Sequence, residues 1–98
     1  MNDYYILKTC NTPEGEIVQS SIKDLREVFS ATESDITSAY NNQRWDEIRA
    51  QRDNLIAETD WWVLSDVGAT DEQLSYRQAL RDVTSQDDVD NITWPVKP

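Results

Sequence analysis

Few side chains in this sequence could carry out chemistry, because its 98 residues include a single cysteine and no histidine. Without histidine, the chain lacks the usual general base near neutral pH and the commonest zinc ligand. No base is in view to activate Cys10, so we interpret it as a small buried or half-buried residue rather than a nucleophile. These observations favour a protein that is not an enzyme.

Two groups of carboxylates could in principle bind a metal ion or exchange a proton. The first is the acidic run at residues 87–90, which has neither the central glycine nor the terminal glutamate of a calcium loop. The second is Glu14 with Glu16, where no apolar surroundings would shift a pKa. We predict solvated turns at both places, with no metal and no cofactor.

Tryptophan and arginine form the most informative group, since five of the six arginines follow Arg26. Two interpretations are open. The guanidinium groups could stack on tryptophan faces and pair with Asp60 or Asp66, closing the fold. Alternatively, some of them could form an interface hot spot, because Trp, Tyr and Arg dominate such patches. The candidate partner-binding residues are Trp62, Val63, Trp45, Arg49, Arg77 and Arg81.

The charge balance limits the partners. A formal charge of -10 argues against a nucleic-acid or anionic-membrane surface, which needs clustered Lys and Arg. A role as an acidic DNA mimic is also disfavoured, because the carboxylates are spread along the chain. The longest apolar run, at residues 61–64, is far too short to span a bilayer, and the first residues do not form a signal peptide. We expect a soluble, intracellular protein.

The first part of the chain predicts a β-hairpin and a short helix. Residues 3–9 have the composition of a strand, and residues 12–15 place Pro and Gly where a tight turn needs them, so residues 16–19 would form the returning strand. Ser21 can cap a helix that ends near Phe29. The polar residues 30–43 read as a linker whose end could join the next helix.

The second part predicts an antiparallel helical hairpin with an extended tail. A helix is expected from Arg44 to Thr59, and a second from Thr70, which forms a capping box with Gln73, to about Val83. A loop of about ten residues joins them, which is long for such a connection. The predicted fold is α+β, with residues 1–43 and 44–98 as its two parts. The expected apolar face of the first helix contains Trp45, Ile48, Arg52, Leu55, Ile56 and Thr59.

Three ordered motifs give the sequence a family resemblance. The stretches WDEIRAQRDNLIAETDWWVLSD, YRQALRDVTSQ and ITWPVKP resemble the carboxy-terminal module of bacteriophage tail assembly chaperone proteins, over about residues 44–98. A similar ending occurs in tail fibre assembly proteins. The positions that match the motifs are Arg49, Arg52, Asp53, Leu55, Ala57, Thr59, Asp60, Trp61, Tyr76, Arg77, Leu80, Arg81, Asp82, Trp94, Pro95 and Pro98.

The resemblance implies a non-enzymatic phage protein that binds a tail or tail-fibre polypeptide during assembly in the host cytoplasm. The alternative is a structural component of the tail, baseplate or fibre attachment that stays in the virion. Residues 1–43 lie outside the resemblance and could select the partner. The residues assigned to the hairpin core and its motifs are Arg52, Leu55, Thr59, Asp60, Trp61, Tyr76, Leu80, Trp94 and Pro95.

The adjacent tryptophans are expected to have different roles. Trp61 belongs to the recurring motif, so we predict that it lies in the hairpin core beside Asp60. Neighbouring side chains of an extended loop point to opposite sides. Trp62 is therefore predicted to face the partner.

Overall fold

An antiparallel β-hairpin begins the fold in the computed structural model, which describes residues 1–98. Strand β1 is Ile6–Thr12 and strand β2 is Gly15–Ser21. The turn places Gly15 at φ 109°, in a region that glycine adopts without a steric penalty. The predicted hairpin is confirmed, although β1 begins and ends later in the chain than the expected residues 3–9.

Helix α1, Ile22–Glu27, follows β2 directly. The Ser21 hydroxyl accepts a hydrogen bond from the Asp24 backbone N–H at 3.1 Å, which confirms the predicted cap. The helix buries Ile22 and Leu25. Its amphipathic pattern therefore directs two aliphatic side chains into a core.

Helix α2, Glu33–Glu58, is longer than expected, and the predicted linker over residues 30–43 is wrong. Thr32 and Asp35 form a capping box, because each side chain accepts a hydrogen bond from the other residue's backbone N–H at 3.1 Å. Ile36 and Tyr40 lie one turn apart and are both buried. This short apolar stripe is masked in the sequence by the polar residues around it.

The chain forms two compact units, residues 1–44 and residues 45–98, called here the amino-terminal and carboxy-terminal units. The core of the amino-terminal unit is largely aliphatic. Its one described aromatic pair is Tyr5 with Tyr40, whose rings meet edge to face with centroids 5.2 Å apart. The buried apolar residues of this unit are Leu7, Cys10, Ile22, Leu25, Ile36 and Tyr40.

The carboxy-terminal unit contains the end of α2, a short 3₁₀ helix at Asp60–Val63, helix α3 at Asp71–Arg81 and a second 3₁₀ helix at Asp82–Ser85. The predicted capping box is confirmed by reciprocal hydrogen bonds between Thr70 and Gln73. The predicted apolar helix face is confirmed as well, since the six residues assigned to it, from Trp45 to Thr59, are each buried or half-buried. Residues 86–98 contain no helix or strand.

The fold class is α+β, as predicted. None of the helices is both long and apolar enough to cross a membrane.

Candidate functional site

An aromatic cluster forms the centre of the carboxy-terminal unit. It consists of Trp62, Tyr76 and Leu80, all buried, and the Trp62 and Tyr76 ring centroids lie 6.0 Å apart. Trp94 packs against the cluster from the tail and thereby anchors the tail to the unit. Leu55, Ile56 and Ala69 complete the surrounding contacts. The two helices and the tail are therefore joined by one patch of large side chains.

The tail has two further attachments. The Gln86 side-chain amide donates to the Thr93 carbonyl at 3.1 Å and accepts from the Thr93 N–H at 2.8 Å. Beyond Trp94, the Lys97 ammonium lies 5.6 Å from the Trp62 ring centroid, within the range of a cation–π interaction. These contacts hold the extended tail along the unit without regular secondary structure.

Arg77 binds the end of α2 to α3. Its Nη1 donates to the Ile56 carbonyl at 3.1 Å and to the Thr59 hydroxyl at 2.7 Å. Its Nη2 donates to the Asp60 carboxylate at 3.0 Å. The prediction that Arg77 contacts a partner is wrong, because the side chain is buried and bonded inside the unit. Of the two carboxylates named as possible partners of an arginine, Asp60 pairs with Arg77.

The assignment of the two adjacent tryptophans is reversed by the structure. Trp62 is 4% exposed and Trp61 is 56% exposed. Residues 60–63 form a 3₁₀ helix instead of an extended loop, so neighbouring side chains diverge by about 120° and do not simply alternate. Trp62 thereby contacts Tyr76. The Trp61 ring meets the Trp62 ring edge to face and remains mostly exposed to solvent.

Four exposed apolar residues of the carboxy-terminal unit lie in one segment, residues 60–67, called here the Trp61 turn, while Leu74 and Val96 are exposed elsewhere in the unit. The Leu64 N–H donates to the Trp61 carbonyl at 3.3 Å, and the Val67 N–H donates to the Leu64 carbonyl at 3.0 Å. Successive turns thus hold the segment together. The exposed fractions are 56% for Trp61, 49% for Val63, 59% for Leu64 and 44% for Val67.

The remaining predicted contact residues are dispersed. Trp45 is half-buried, and Arg49 is exposed and pairs with Asp46 of its own helix at 3.2 Å. Arg81 is exposed near the end of α3. The structure shows no hydrogen bond or ion pair that joins these residues to the Trp61 turn. Only Val63, among the predicted contact residues, belongs to that turn and is also exposed.

A groove runs between α3 and the tail. It is open, and its helix side begins at Asp71 and Glu72 in the first turn of α3. Neither carboxylate forms an ion pair. Sequence reasoning missed this groove, although the Thr70 cap and the proline-rich ending were both visible. The lining residues are Asp71, Glu72, Ser75, Tyr76, Ala79, Pro95, Val96 and Pro98.

The features described above all lie in one continuous part of the chain. A sequence model of the family described as "Phage tail assembly chaperone protein" matches residues 45–98. The chain belongs to this phage tail assembly chaperone family. The match begins at Trp45, the first residue of the carboxy-terminal unit. The exposed turn, the Arg77 contacts, the aromatic cluster and the groove are thus all part of the family module.

A solved structure extends the likeness to the rest of the chain. It is the solution structure of the protein CV0426 from Chromobacterium violaceum, which is 35% identical, with a TM-score of 0.57. The likeness covers 96% of this chain and 99% of that one. A comparison with curated proteins found no match.

The hydrogen bonds of Arg77 connect two of the sequence motifs of the family module. The first motif contains Thr59 and Asp60 near its end, and the second begins with Tyr76 and Arg77. In the structure, Arg77 bonds to both Thr59 and Asp60. The second motif of this chaperone module therefore supplies the hydrogen-bond donor, Arg77, and the first motif supplies its acceptors, Thr59 and Asp60.

The sequence offered two further groups of reactive side chains, Cys10 and the acidic run. Cys10 is buried in the amino-terminal unit, as predicted, and burial, with a smaller effect of Asp35, raises the pKa of its thiol. In the acidic run, the Asp88 carboxylate accepts from the Asn91 amide at 2.7 Å and from the Asp90 N–H at 2.9 Å. These hydrogen bonds, that of Asn91 first, lower the pKa of Asp88.

Proposed function

We propose that this protein binds a phage tail or tail-fibre polypeptide during assembly and covers an apolar segment of that partner with the Trp61 turn. The observation that carries the proposal is the concentration of four exposed apolar side chains within residues 60–67. Exposed apolar residues scattered singly are normal, whereas a contiguous patch marks an interaction surface. Tryptophan is also among the residues that contribute most to binding interfaces.

The size of the effect fits a reversible chaperone. A tryptophan side chain buries on the order of 150–250 Å², and about half of the Trp61 ring is available. Covering roughly 100 Å² of apolar surface contributes at most about 2.5 kcal/mol, and the freedom that the two partners lose on association is subtracted from this gain. The net contribution of this ring is therefore small enough to be compatible with release of the partner.

The proposal assigns no reaction to the protein. The thiol of Cys10 is buried and its pKa is raised, both of which oppose nucleophilic attack. We place the activity in surface contacts alone, and we assign selection among tail polypeptides to the amino-terminal unit, which lies outside the family match.

Co-expression with the tail and tail-fibre polypeptides of the same phage tests the proposal. We expect the wild-type chain to raise the soluble yield of one of them and Trp61→Ala to lose most of that gain. The matched control is Val18→Ala, which removes a side chain that is 61% exposed in the amino-terminal unit. A soluble yield that does not depend on the chain, or that survives Trp61→Ala unchanged, would overturn the proposal.

Mass spectrometry of purified virions separates a transient chaperone from a retained component. We expect the chain to be absent from finished particles, or present far below the copy number of its partner. Stoichiometric presence would instead favour the adaptor role, in which the same turn fixes the chain to a tail or baseplate protein.

A further inference from the structure

We propose that the segment held by the Trp61 turn is an amphipathic helix with basic residues beside its apolar face. This inference rests on the proposed function, since it names the kind of polypeptide that the same surface binds. Three features of the turn carry it: the charge of the surrounding sequence, the carboxylates beside the apolar side chains, and the pairing of the backbone groups.

The turn lies within a long stretch that has no basic residue. No lysine or arginine occurs between Arg52 and Arg77, whereas the same stretch contains six carboxylates. The carboxy-terminal unit as a whole has twelve acidic and five basic residues. An apolar surface in such a negative field favours partners that carry positive charge.

Carboxylates lie directly beside the exposed apolar side chains. Asp60 begins the turn and Asp66 lies near its end. The Asp60 side chain is 65% exposed, although one of its oxygens pairs with Arg77. Asp66 is exposed, as is Glu58 just before the turn, and neither forms an ion pair. A partner without basic residues would cover these carboxylates and leave them imperfectly paired, which costs binding free energy.

The backbone of the turn favours a helix over a strand as the partner. A strand that adds to an edge needs free N–H and C=O groups there. In the turn, the N–H groups of Trp62, Leu64 and Val67 already donate to backbone carbonyls at 3.0, 3.3 and 3.0 Å. The turn therefore offers side chains, and an amphipathic helix binds through side chains because its own backbone groups are paired.

A second copy of this chain is a poor occupant of the same surface. Two turns placed face to face would bring Asp60 and Asp66 of both copies together, and each chain carries a formal charge of -10. Like charges across an interface are unfavourable. Charge complementarity therefore selects a basic partner.

Three synthetic peptides test the inference without the tail polypeptide. The first is the helical peptide acetyl-LKKLLKLLKKLLKL-amide, and in the other two every lysine is replaced by glutamine or by glutamate. Binding to the full ¹⁵N-labelled chain is followed through the indole N–H signals. At about 0.1 M salt, we expect the lysine peptide to bind about tenfold more tightly than the glutamine peptide, and the glutamate peptide to bind least. Equal binding of the lysine and glutamine peptides, or no binding of the lysine peptide, would overturn the inference.

The variants identify the surface and its charges separately. Trp61→Ala should weaken the binding of both the lysine and the glutamine peptide, because both lose the exposed ring. Glu58→Gln with Asp66→Asn should reduce the preference for lysine and leave the glutamine peptide unaffected. Glu14→Gln with Glu16→Gln removes the same charge from the hairpin turn and should keep the preference. Lysine-peptide binding that survives Trp61→Ala, or a preference that falls equally in the two charge variants, would indicate general attraction to an acidic chain and contradict the assignment.

The outcomes separate this inference from the proposed function. If the glutamine peptide binds as tightly as the lysine peptide while co-expression still depends on Trp61, the basic helix is overturned and the chaperone role stands. If the lysine peptide binds as expected while co-expression has no effect, the basic helix is supported and the chaperone role fails. Analytical ultracentrifugation of the free chain tests the second copy, and a dimer that Trp61→Ala dissociates would overturn the choice of a basic helix.

Discussion

The two units expose similar kinds of apolar side chains but distribute them differently. In the amino-terminal unit, Val18 and Val28 are exposed singly, and Met1, Tyr4 and Ile6 are exposed near the start of the chain. In the carboxy-terminal unit, four exposed apolar residues lie within the Trp61 turn. Their cores differ as well, since the first unit buries mainly aliphatic residues and the second is organised around a tryptophan and a tyrosine.

The difference shows how a small acidic domain can expose an apolar surface and still fold. The Trp61 turn stays in place because one of its own residues, Trp62, is anchored in the aromatic cluster, and because Arg77 bonds to Thr59 and Asp60 where the turn begins. The amino-terminal unit instead combines an aliphatic core with polar contacts such as those of Gln43 and Arg26. We therefore expect the two units to respond to different kinds of substitution.

The largest effect is expected from Trp62→Ala. Removing a large buried aromatic side chain costs about 3–5 kcal/mol, because the transfer free energy is lost and a cavity remains. Trp62 is 4% exposed and contacts Tyr76, Trp61 and Lys97. Urea denaturation followed by circular dichroism should show this loss, or no folded baseline at all.

The matched control is Trp61→Ala, which removes the same ring from the adjacent position. Because most of that ring is in solvent, we expect its free energy of unfolding to change by less than about 1 kcal/mol. Equal losses for the two variants would show that the division between an anchored and a presented tryptophan does not hold.

The next effect is expected from Arg77→Gln. This change removes the hydrogen bonds to Ile56, Thr59 and Asp60, and Thr59 is almost completely buried. We expect a loss of about 2–3 kcal/mol, since a buried hydroxyl and a carbonyl lose their charged donor. Arg81→Gln, one helical turn away on the exposed side, should cost less than about 0.5 kcal/mol. Similar midpoints for the two variants in urea would contradict the assignment of Arg77 to the interior.

Local periodicity and capping were predictable from the sequence, whereas the direction of single side chains was not. The face of α2 from Trp45 to Thr59 follows helical spacing, and the Thr70 box fixes the start of α3. Both signals depend only on residues that are close together in the sequence. The start of α2 was missed because Ile36 and Tyr40 are its only large apolar residues over that stretch, so its amphipathic pattern there is weak.

Trp61 and Arg77 show what sequence reasoning lacks. Which of two adjacent rings points inward depends on the backbone of the turn, and a 3₁₀ helix and an extended loop give different answers. Arg77 becomes an interior residue only because a carbonyl, a hydroxyl and a carboxylate from residues 56–60 converge on it. Neither arrangement is encoded in the spacing of a single element.

A smaller effect is expected in the amino-terminal unit from Gln43→Ala. The Gln43 amide accepts from the Lys8 N–H at 2.7 Å and donates to the Ile6 carbonyl at 2.9 Å. It therefore occupies the edge of β1 much as a neighbouring strand would. We expect a loss of about 1 kcal/mol and faster hydrogen exchange at the Lys8 amide. The control Asn42→Ala alters an exposed neighbour, and unchanged Lys8 exchange in Gln43→Ala would refute the role in edge protection.

The smallest effect is a pH dependence carried by Glu33. The Arg26 Nε donates to its carboxylate at 2.6 Å, and this hydrogen bond lowers the pKa of Glu33 below its ordinary value of 4.5. A lowered pKa means that the contribution to stability is present above pH 4.5 and is lost as the pH falls through the folded-state pKa.

Glu33→Gln should therefore be less stable than the wild type near pH 7, and the two should converge in acid. Glu27→Gln, which removes an exposed carboxylate that forms no ion pair, serves as the control. Thermal unfolding across this range measures the difference, which salt should reduce because both partners are partly exposed. A gap between Glu33→Gln and the wild type that is constant from neutral pH into acid would show that Arg26 does not stabilise the ionised form of this carboxylate.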